Sequence, residues 1–220
     1  MNKIKLINKL KQRKYRDELG LFLVEGDKLI GEIPSNLLEF TISIDEIGER
    51  EFNKLSELTT PQTKIAVCRK PNYNSALQIE NQKLKIVLDR IQDPNNLGAI
   101  LRSTAAAGLH DVILLNGTAD PFNSKSIRAS MGAIFHLNLI NMTENELIES
   151  KLNLIAAHID GLNYRKFKLP SSAALILGNE GQGVNDSLLK VSTKITIPIQ
   201  KVESLNVNAA AAILIFHFAG

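Results

Sequence analysis

From Leu84 onward, short continuous apolar runs alternate with helix-like segments, and this rhythm restricts the fold more than any other feature of the chain. Runs such as Ile86 to Leu88, Val112 to Leu115 and Leu175 to Gly178 lack the in-and-out alternation of a strand with one wet face. They read as strands covered on both sides, and such strands separated by helices imply a parallel sheet with helices on both faces. The expected order is strand 85–91, helix 96–107, strand 111–115, helix 124–133, strand 137–140, helix 144–152, strands 154–159 and 174–178, helix 184–191, strand 194–199, and a last helix from about Asn206.

Upstream the rhythm is different. A helical pattern over 4–16 leads into the apolar run 21–26, a short helix from Asp27, a strand at 40–44, a helix at 50–58 and a strand at 64–68, which together make a small α/β unit. In the segment 71–83, PNYNSALQIENQK, Pro, Asn and Gln replace periodic apolar residues, so it reads as a connection. With 220 residues the chain has room for one main domain and a smaller companion. The expected division is a first domain over 1–75, a linker over 76–83 and a main domain over 84–220.

Composition narrows the function classes. At 44% apolar and 22% charged residues the chain is neither disordered nor a disulfide scaffold, and its one cysteine, Cys68, cannot form an internal bridge. That fits a reducing, cytoplasmic setting. No apolar run is long enough to span a bilayer, and the basic start lacks the apolar core of an export signal, so a soluble protein is expected. His110, His136, His158 and His217 are far apart in sequence, and no metal site is expected.

The formal net charge of +3 hides an asymmetry, because residues 1–16 carry seven basic residues and no acidic one. Such a head is either a phosphate-binding footprint or a solvated helix face. The last helix, by contrast, is apolar nearly all round and needs cover on more than one face. One sheet covers one face, so a second subunit across a two-fold axis is expected on the other.

Three constellations carry chemistry. The first, DPNNLGAILRSTAAAG (93–108), follows a buried strand; Asn95 or Asn96 can cap a helix there and Gly108 can end it. Helical spacing places Arg102 beside Gly98, Ala99, Ala105 and Ala106, a guanidinium on a face of small residues. The second, LILGNEGQGVNDS (175–187), runs a strand into a glycine-rich turn around Glu180. A dinucleotide fingerprint belongs after the first strand of its unit, where this chain has QDPNN instead, so that cofactor class is disfavoured. The third, ITIPIQKVESLNVNAAAAIL (195–214), ends a strand at Pro198 and opens a helix that Ser204 or Asn206 can cap.

In this order the three resemble the motifs of the SpoU-type (TrmH-like) 2′-O-ribose RNA methyltransferases of the SPOUT superfamily. The resemblance rests on Asp93, Pro94, Asn96, Gly98 and Arg102; on Gly178, Asn179, Glu180, Gly181 and Gly183; and on Ile197, Pro198, Ser204, Leu205 and Asn206. It covers about residues 84–220, while KLKQRKYRDELGLFLVEGDKLIGE (9–32) is similar to the ribosomal-protein-like substrate-binding domain of some members. One departure stands out: members usually have a glycine between the proline and serine of the third motif, and this loop has Gln200, Lys201 and Val202 and is one residue shorter.

The resemblance implies a parallel α/β sheet whose C-terminal part is threaded into a trefoil knot, and methyl transfer from S-adenosylmethionine to a ribose 2′-hydroxyl of rRNA or tRNA. It implies Arg102 as the catalytic residue, supported by Asn96, Glu180, Ser204 and Asn206, with Glu180 as partner for a cation. The cofactor would lie against Leu177, Gly178, Asn179, Gly181, Ile197, Pro198, Ser204, Leu205 and Asn206. RNA would be gripped by Lys9, Arg13, Lys14 and Arg16, helped by Lys125 and Arg128. The alternative within the same resemblance is a catalytically inactive knotted factor that binds RNA without turning over.

Overall fold

The computed structural model describes residues 2–71 and 84–220; the expected linker at 76–83 lies outside the described residues. The chain opens with helices α1 (Lys3–Leu10) and α2 (Arg13–Leu19), then β1 (Leu21–Glu25), α3 (Asp27–Gly31), β2 (Leu38–Ser43), α4 (Ile44–Ile47), α5 (Glu49–Leu55) and β3 (Lys64–Arg69). The three strands form an antiparallel sheet in the order β1-β3-β2. The expected helix over 4–16 is thus two helices, because Gln12 takes an extended conformation between them.

Arg16 stabilises that break. Its Nη1 donates to the carbonyls of Leu10 and Lys11, both at 2.8 Å, which are free where α1 ends. Its Nε and Nη2 donate to Asp120 Oδ2 at 2.9 and 2.6 Å, with both side chains over nine-tenths buried. This overturns Arg16 as an RNA contact: its donors are consumed inside the protein.

The second half runs β4 (Leu84–Asp89), α6 (Pro94–Ala106), β5 (Asp111–Leu115), α7 (Ser124–Ser130), β6 (Asn138–Met142), α8 (Glu144–Glu149), β7 (Asn153–Asn163), β8 (Ala173–Gly178), α9 (Asp186–Val191), β9 (Thr193–Thr196) and α10 (Val207–Ala219). All five strand pairings are parallel, in the order β6-β5-β4-β8-β7-β9. Strands β4, β5 and β8 are buried along nearly their whole length, as continuous apolar runs require. Successive strands from β4 build outward through β5 to β6, whereas β8 returns to the other side of β4. The chain therefore reverses direction between β4 and β8, and in open parallel sheets ligands bind beyond the carboxyl ends of the strands at such a reversal.

Gly98 has a structural job that its place beside Arg102 does not suggest. A Cβ there would meet Ala129 Cβ and the Ser126 carbonyl at 2.5 Å, so this glycine lets α6 lie directly on α7 and is no open approach for a ligand. The first sheet does not hang free either. Phe22 packs on Phe122 with ring centroids 4.8 Å apart, and Phe22, Val24 and Ala66 share one apolar cluster with Leu88, Leu97 and Ile127.

Replacing Asp120 with Ala leaves a buried, unpaired guanidinium, and urea denaturation should show a loss of about 3–5 kcal/mol. A loss of less than about 1 kcal/mol, the range of exposed pairs, would mean that the ion pair does not hold the two sheets together.

Candidate functional site

The carboxyl ends of β4 and β8 lie side by side, with Asp89 paired to Gly178. The loops that follow them, 90–93 and 179–185, therefore start within bonding distance of each other. Asp89 is buried and accepts from the Asn185 amide at 2.7 Å and from Arg90 Nε at 2.8 Å. Arg90, at φ 57°, reaches across to Gln182 Oε1 at 2.9 Å and the Gly183 carbonyl at 3.2 Å. Asn179 returns the contact, donating to the Arg90 carbonyl at 2.9 Å. Neither Asp89 nor Arg90 stands out in the sequence beyond being charged at the end of an apolar strand.

Within the glycine turn, Asn179 Oδ1 accepts from the amides of Gly181 and Gln182, both at 3.0 Å, and Asn179 and Gly183 exchange backbone bonds. A Cβ on Gly178 would come within 2.2 Å of Gly183 and Val184, so that glycine serves the closure of its own turn. Gly181 differs: a side chain there would meet only Asn179 Oδ1 at 3.7 Å, and nothing in the fold requires a glycine. Leu177 is buried, leaving only its main chain for a ligand.

Asn96 joins the three constellations. Its Nδ2 donates to Glu180 Oε1 at 3.0 Å, and its Oδ1 accepts from Asn208 Nδ2 at 3.1 Å, so one carboxamide links α6, the glycine turn and the first turn of α10. The N-cap of α6 is Asp93, which accepts from the Asn95 amide at 2.8 Å; neither Asn95 nor Asn96 holds that place. Asn206 caps α10 by accepting from the Asn208 amide at 2.9 Å, and Ser204 is exposed just before it. Asn208 escaped the sequence reading; the only available signal was a polar residue in the first turn of an otherwise apolar helix.

Among the described residues Glu180 makes no ion pair; its carboxylate is held by hydrogen bonds. Partial burial acts to raise its pKa, but hydrogen bonds from Asn96, from its own backbone and from the amides of Gln92 and Asp93 outweigh it and hold the carboxyl below the usual glutamate range. Arg102 lies two turns along α6 from Asn96, exposed and without an ion pair among the described residues. In the third constellation Ile197 and Leu205 are half-buried and Pro198 is exposed. Lys201 has φ 66°, so the loop makes the left-handed turn that favours glycine with a lysine in that place.

The basic residues separate. Lys9, Arg13 and Lys14 are exposed, with the Lys9 and Lys14 ammonium groups 5.2 and 6.0 Å from the centre of the Tyr15 ring, a local pairing of basic and aromatic groups unseen in the sequence. Lys125 is exposed, but Arg128 turns into a narrow crevice against Leu23, Glu25 and Leu55 of the first sheet and α5. Arg128 Nη1 is buried there, which removes this side chain from an open RNA-binding face. Among the described residues no group of His, Cys, Asp and Glu is placed to hold a metal ion. Burial, with Glu39 nearby, pushes the Cys68 thiol up to about 12, so it is no nucleophile.

Residues 83–216 match the SpoU rRNA Methylase family, and residues 1–42 match the MRM3-like substrate binding domain. The chain belongs to the SpoU rRNA methylase family. It is 35% identical to the 23S rRNA (guanosine(2553)-2′-O)-methyltransferase RlmP of Bacillus subtilis (strain 168), across 99% of this chain and 96% of that protein. It is 31% identical to rRNA methyltransferase 3, mitochondrial, of Homo sapiens, across 65% of this chain and 40% of that protein. The crystal structure of the AdoMet-bound rRNA methyltransferase from Sinorhizobium meliloti superposes with a TM-score of 0.86 at 26% identity, over 97% of this chain and 92% of that one.

Above roughly pH 4.3, the ordinary glutamate value, the bonds to Glu180 contribute their full stability, and this is lost as pH falls through its lowered value in the folded protein. Replacing Asn96 with Ala should move the carboxyl titration of Glu180, followed by carbon NMR, upward toward the ordinary value. An unmoved midpoint would mean that this carboxamide does not hold the charge.

Proposed function

We propose that this protein is an S-adenosylmethionine-dependent RNA methyltransferase that places a methyl group on a ribose 2′-hydroxyl. The observation that carries the reading is the Asn96 carboxamide, which binds Glu180 and Asn208 at once and so gathers all three motif segments at the sheet's reversal point. Family membership and the 35% identity to a 23S rRNA 2′-O-methyltransferase support the same chemistry and favour ribosomal RNA as substrate.

The cofactor fits the residues present. In the glycine turn the amides of Asn179, Gly181, Gln182 and Gly183 and the carbonyls of Asn179 and Gly183 are bonded internally, so the turn offers the carbonyl oxygens of Glu180, Gly181 and Gln182, which suit the amino groups of an adenosine and a methionine. Gly181, unrequired by the fold, lets a ligand come close to the backbone. The turn at 178–183, with the main chain of Leu177 and with Ile197, Pro198, Ser204, Leu205 and Asn206, would hold it. When bound, S-adenosylmethionine supplies a methyl group on a positively charged sulfur.

The chain's own residues have two tasks, alignment and charge. Alignment dominates, since an in-line displacement depends strongly on the approach of the attacking oxygen. Asn96, Glu180 and Asn206 fix the loops that define it. Arg102 stays protonated at ordinary pH, which makes it unsuited to act as a base. Its donor fork clamps the target phosphate and ribose and stabilises the alkoxide as it develops, while a substrate phosphate takes the proton.

RNA is drawn to the exposed set Lys9, Arg13, Lys14 and Lys125. The first domain, 1–75, recognises substrate and 84–220 carries the chemistry. The C-terminal helix pairs with that of a second copy, a reading supported by Ile213 and Phe216 on the outer face of α10, 38% and 54% exposed. The knotted path belongs to the same reading: the chain leaves the sheet at its edge strand β9, yet α10 packs back on α6 and on β8 beside the sheet's centre. No described helix is long and apolar enough to cross a membrane, and a cytoplasmic site of action suits both the ribosomal substrate and the free thiol.

Replacing Arg102 with Ala should lower methyl transfer to RNA by about 10²–10³-fold, the scale for losing one charge-stabilising donor, with S-adenosylmethionine affinity by calorimetry unchanged. Retained turnover would remove Arg102 from the mechanism. A wild-type protein that binds RNA but no S-adenosylmethionine would instead be the inactive knotted factor.

A further inference from the structure

A polar cavity lies on the carboxyl edge of the sheet, beyond β5 and β6, and no residue of the glycine turn lines it. It has a volume of about 290 Å³, and its lining includes Arg13 of α2, Gln92, Asn116, Gly117, Thr118 and Asn141. Three elements of its construction point to a ligand.

First, the wall and the roof are fixed to each other. Arg13 stands one turn before Arg16 on α2, and Arg16 is bonded through its buried pair to Asp120 in the loop 116–121, which forms the cavity's wall. The same loop is tied to the 90–93 loop by the Ala119 amide, which donates to the Ile91 carbonyl at 2.8 Å. The buried ion pair therefore holds an arginine of the first domain over a groove of the second.

Second, the groove's charge suits a polyanion. The only carboxylate in the sequence 116–121, Asp120, is turned inward onto Arg16. Arg13 contacts Asp17 at 3.5 Å, but both side chains are more than half exposed, and such a pair yields readily to a stronger anion.

Third, Gln92, Asn116 and Asn141 present three exposed carboxamides that bond to no described residue. A carboxamide carries both donors and an acceptor, the set that reads the edge of a nucleobase. The groove is also joined to the methyl-transfer site, because the Gln92 amide donates to Glu180 Oε2 at 3.4 Å.

We infer that this groove holds a nucleotide of the RNA neighbouring the methylated one, with Arg13 on its phosphate and the carboxamides of Gln92, Asn116 and Asn141 on its base. The assignment rests on the methyltransferase reading for its substrate class, but the groove's geometry does not depend on turnover. It gives the docked first domain a direct part in choosing the target, since one wall of the groove belongs to each domain.

The test uses the full-length protein and an unmodified, in vitro-transcribed 23S rRNA. Ultraviolet cross-linking followed by peptide mapping should place RNA on 90–93, 116–121 or Asn141. The double variant Asn116→Ala and Asn141→Ala, whose side chains are exposed and carry no fold contact, should melt like the wild type. It should raise KM for the transcript by about fivefold or more, the effect of losing one or two hydrogen bonds, with kcat and S-adenosylmethionine affinity within about twofold. An unmoved KM with cross-links confined to other segments overturns the groove while the methyltransferase reading stands. Cross-links in the groove without any methyl transfer would uphold the groove and overturn that reading.

Discussion

The three motif segments meet through one parallel sheet whose direction of growth reverses between β4 and β8, and the Asn96 carboxamide ties the last helix into that junction. Asn96 is more than nine-tenths buried, donates to Glu180 and accepts from Asn208. A buried carboxamide with both ends bonded is rigid, because releasing either bond leaves a polar group unsatisfied away from water. The carboxylate of Glu180 gathers the amides of Gln92 and Asp93 as well, so the loop after β4, the turn after β8 and the last helix share one set of bonds. The geometry of the site is thus fixed before any ligand arrives, which is the condition for a reaction governed by alignment.

A second buried contact sets the place of the first sheet. Arg16 crosses from α2 to Asp120 and Phe22 crosses from β1 to Phe122, so buried contacts join the two sheets. The guanidinium also satisfies two carbonyls at the end of α1, so breaking the pair would disturb the helix break, the domain contact and the loop over β5 together. A buried ion pair is weak evidence for net stability, but it fixes one arrangement over others. The arrangement fixed here places the exposed Arg13 of α2 at the carboxyl edge of the main sheet, beside Gln92, Asn116 and Asn141.

Much of this was legible in the sequence because it depends on local patterns. Continuous apolar runs separated by helices imply a parallel sheet, and the three motif segments are recognisable as residues at fixed spacing. What was not legible depends on long-range pairing. The small-residue face around Arg102 reads as open ground, but Gly98 is filled by α7, a contact between helices whose mutual orientation no spacing encodes. Arg16 and Arg128 look the same as Arg13 in a count of basic residues, and only the docking of the first sheet turns two of them inward. Asp89, Arg90 and Asn208 join the three segments through bonds that span 92 to 112 residues of sequence, and nothing local marks them. The missing glycine of the third motif was visible, whereas the left-handed backbone that Lys201 adopts in that loop was not.

The most direct measurement is a crystal structure of the protein grown with S-adenosylhomocysteine, the product form of the cofactor. Density for the ligand should lie between the turn at 178–183 and the segment 197–206, touching their main chain, with the Asn96 bonds to Glu180 and Asn208 intact. Ligand bound elsewhere on the molecule, or a ligand in place with those two bonds broken, would contradict the account.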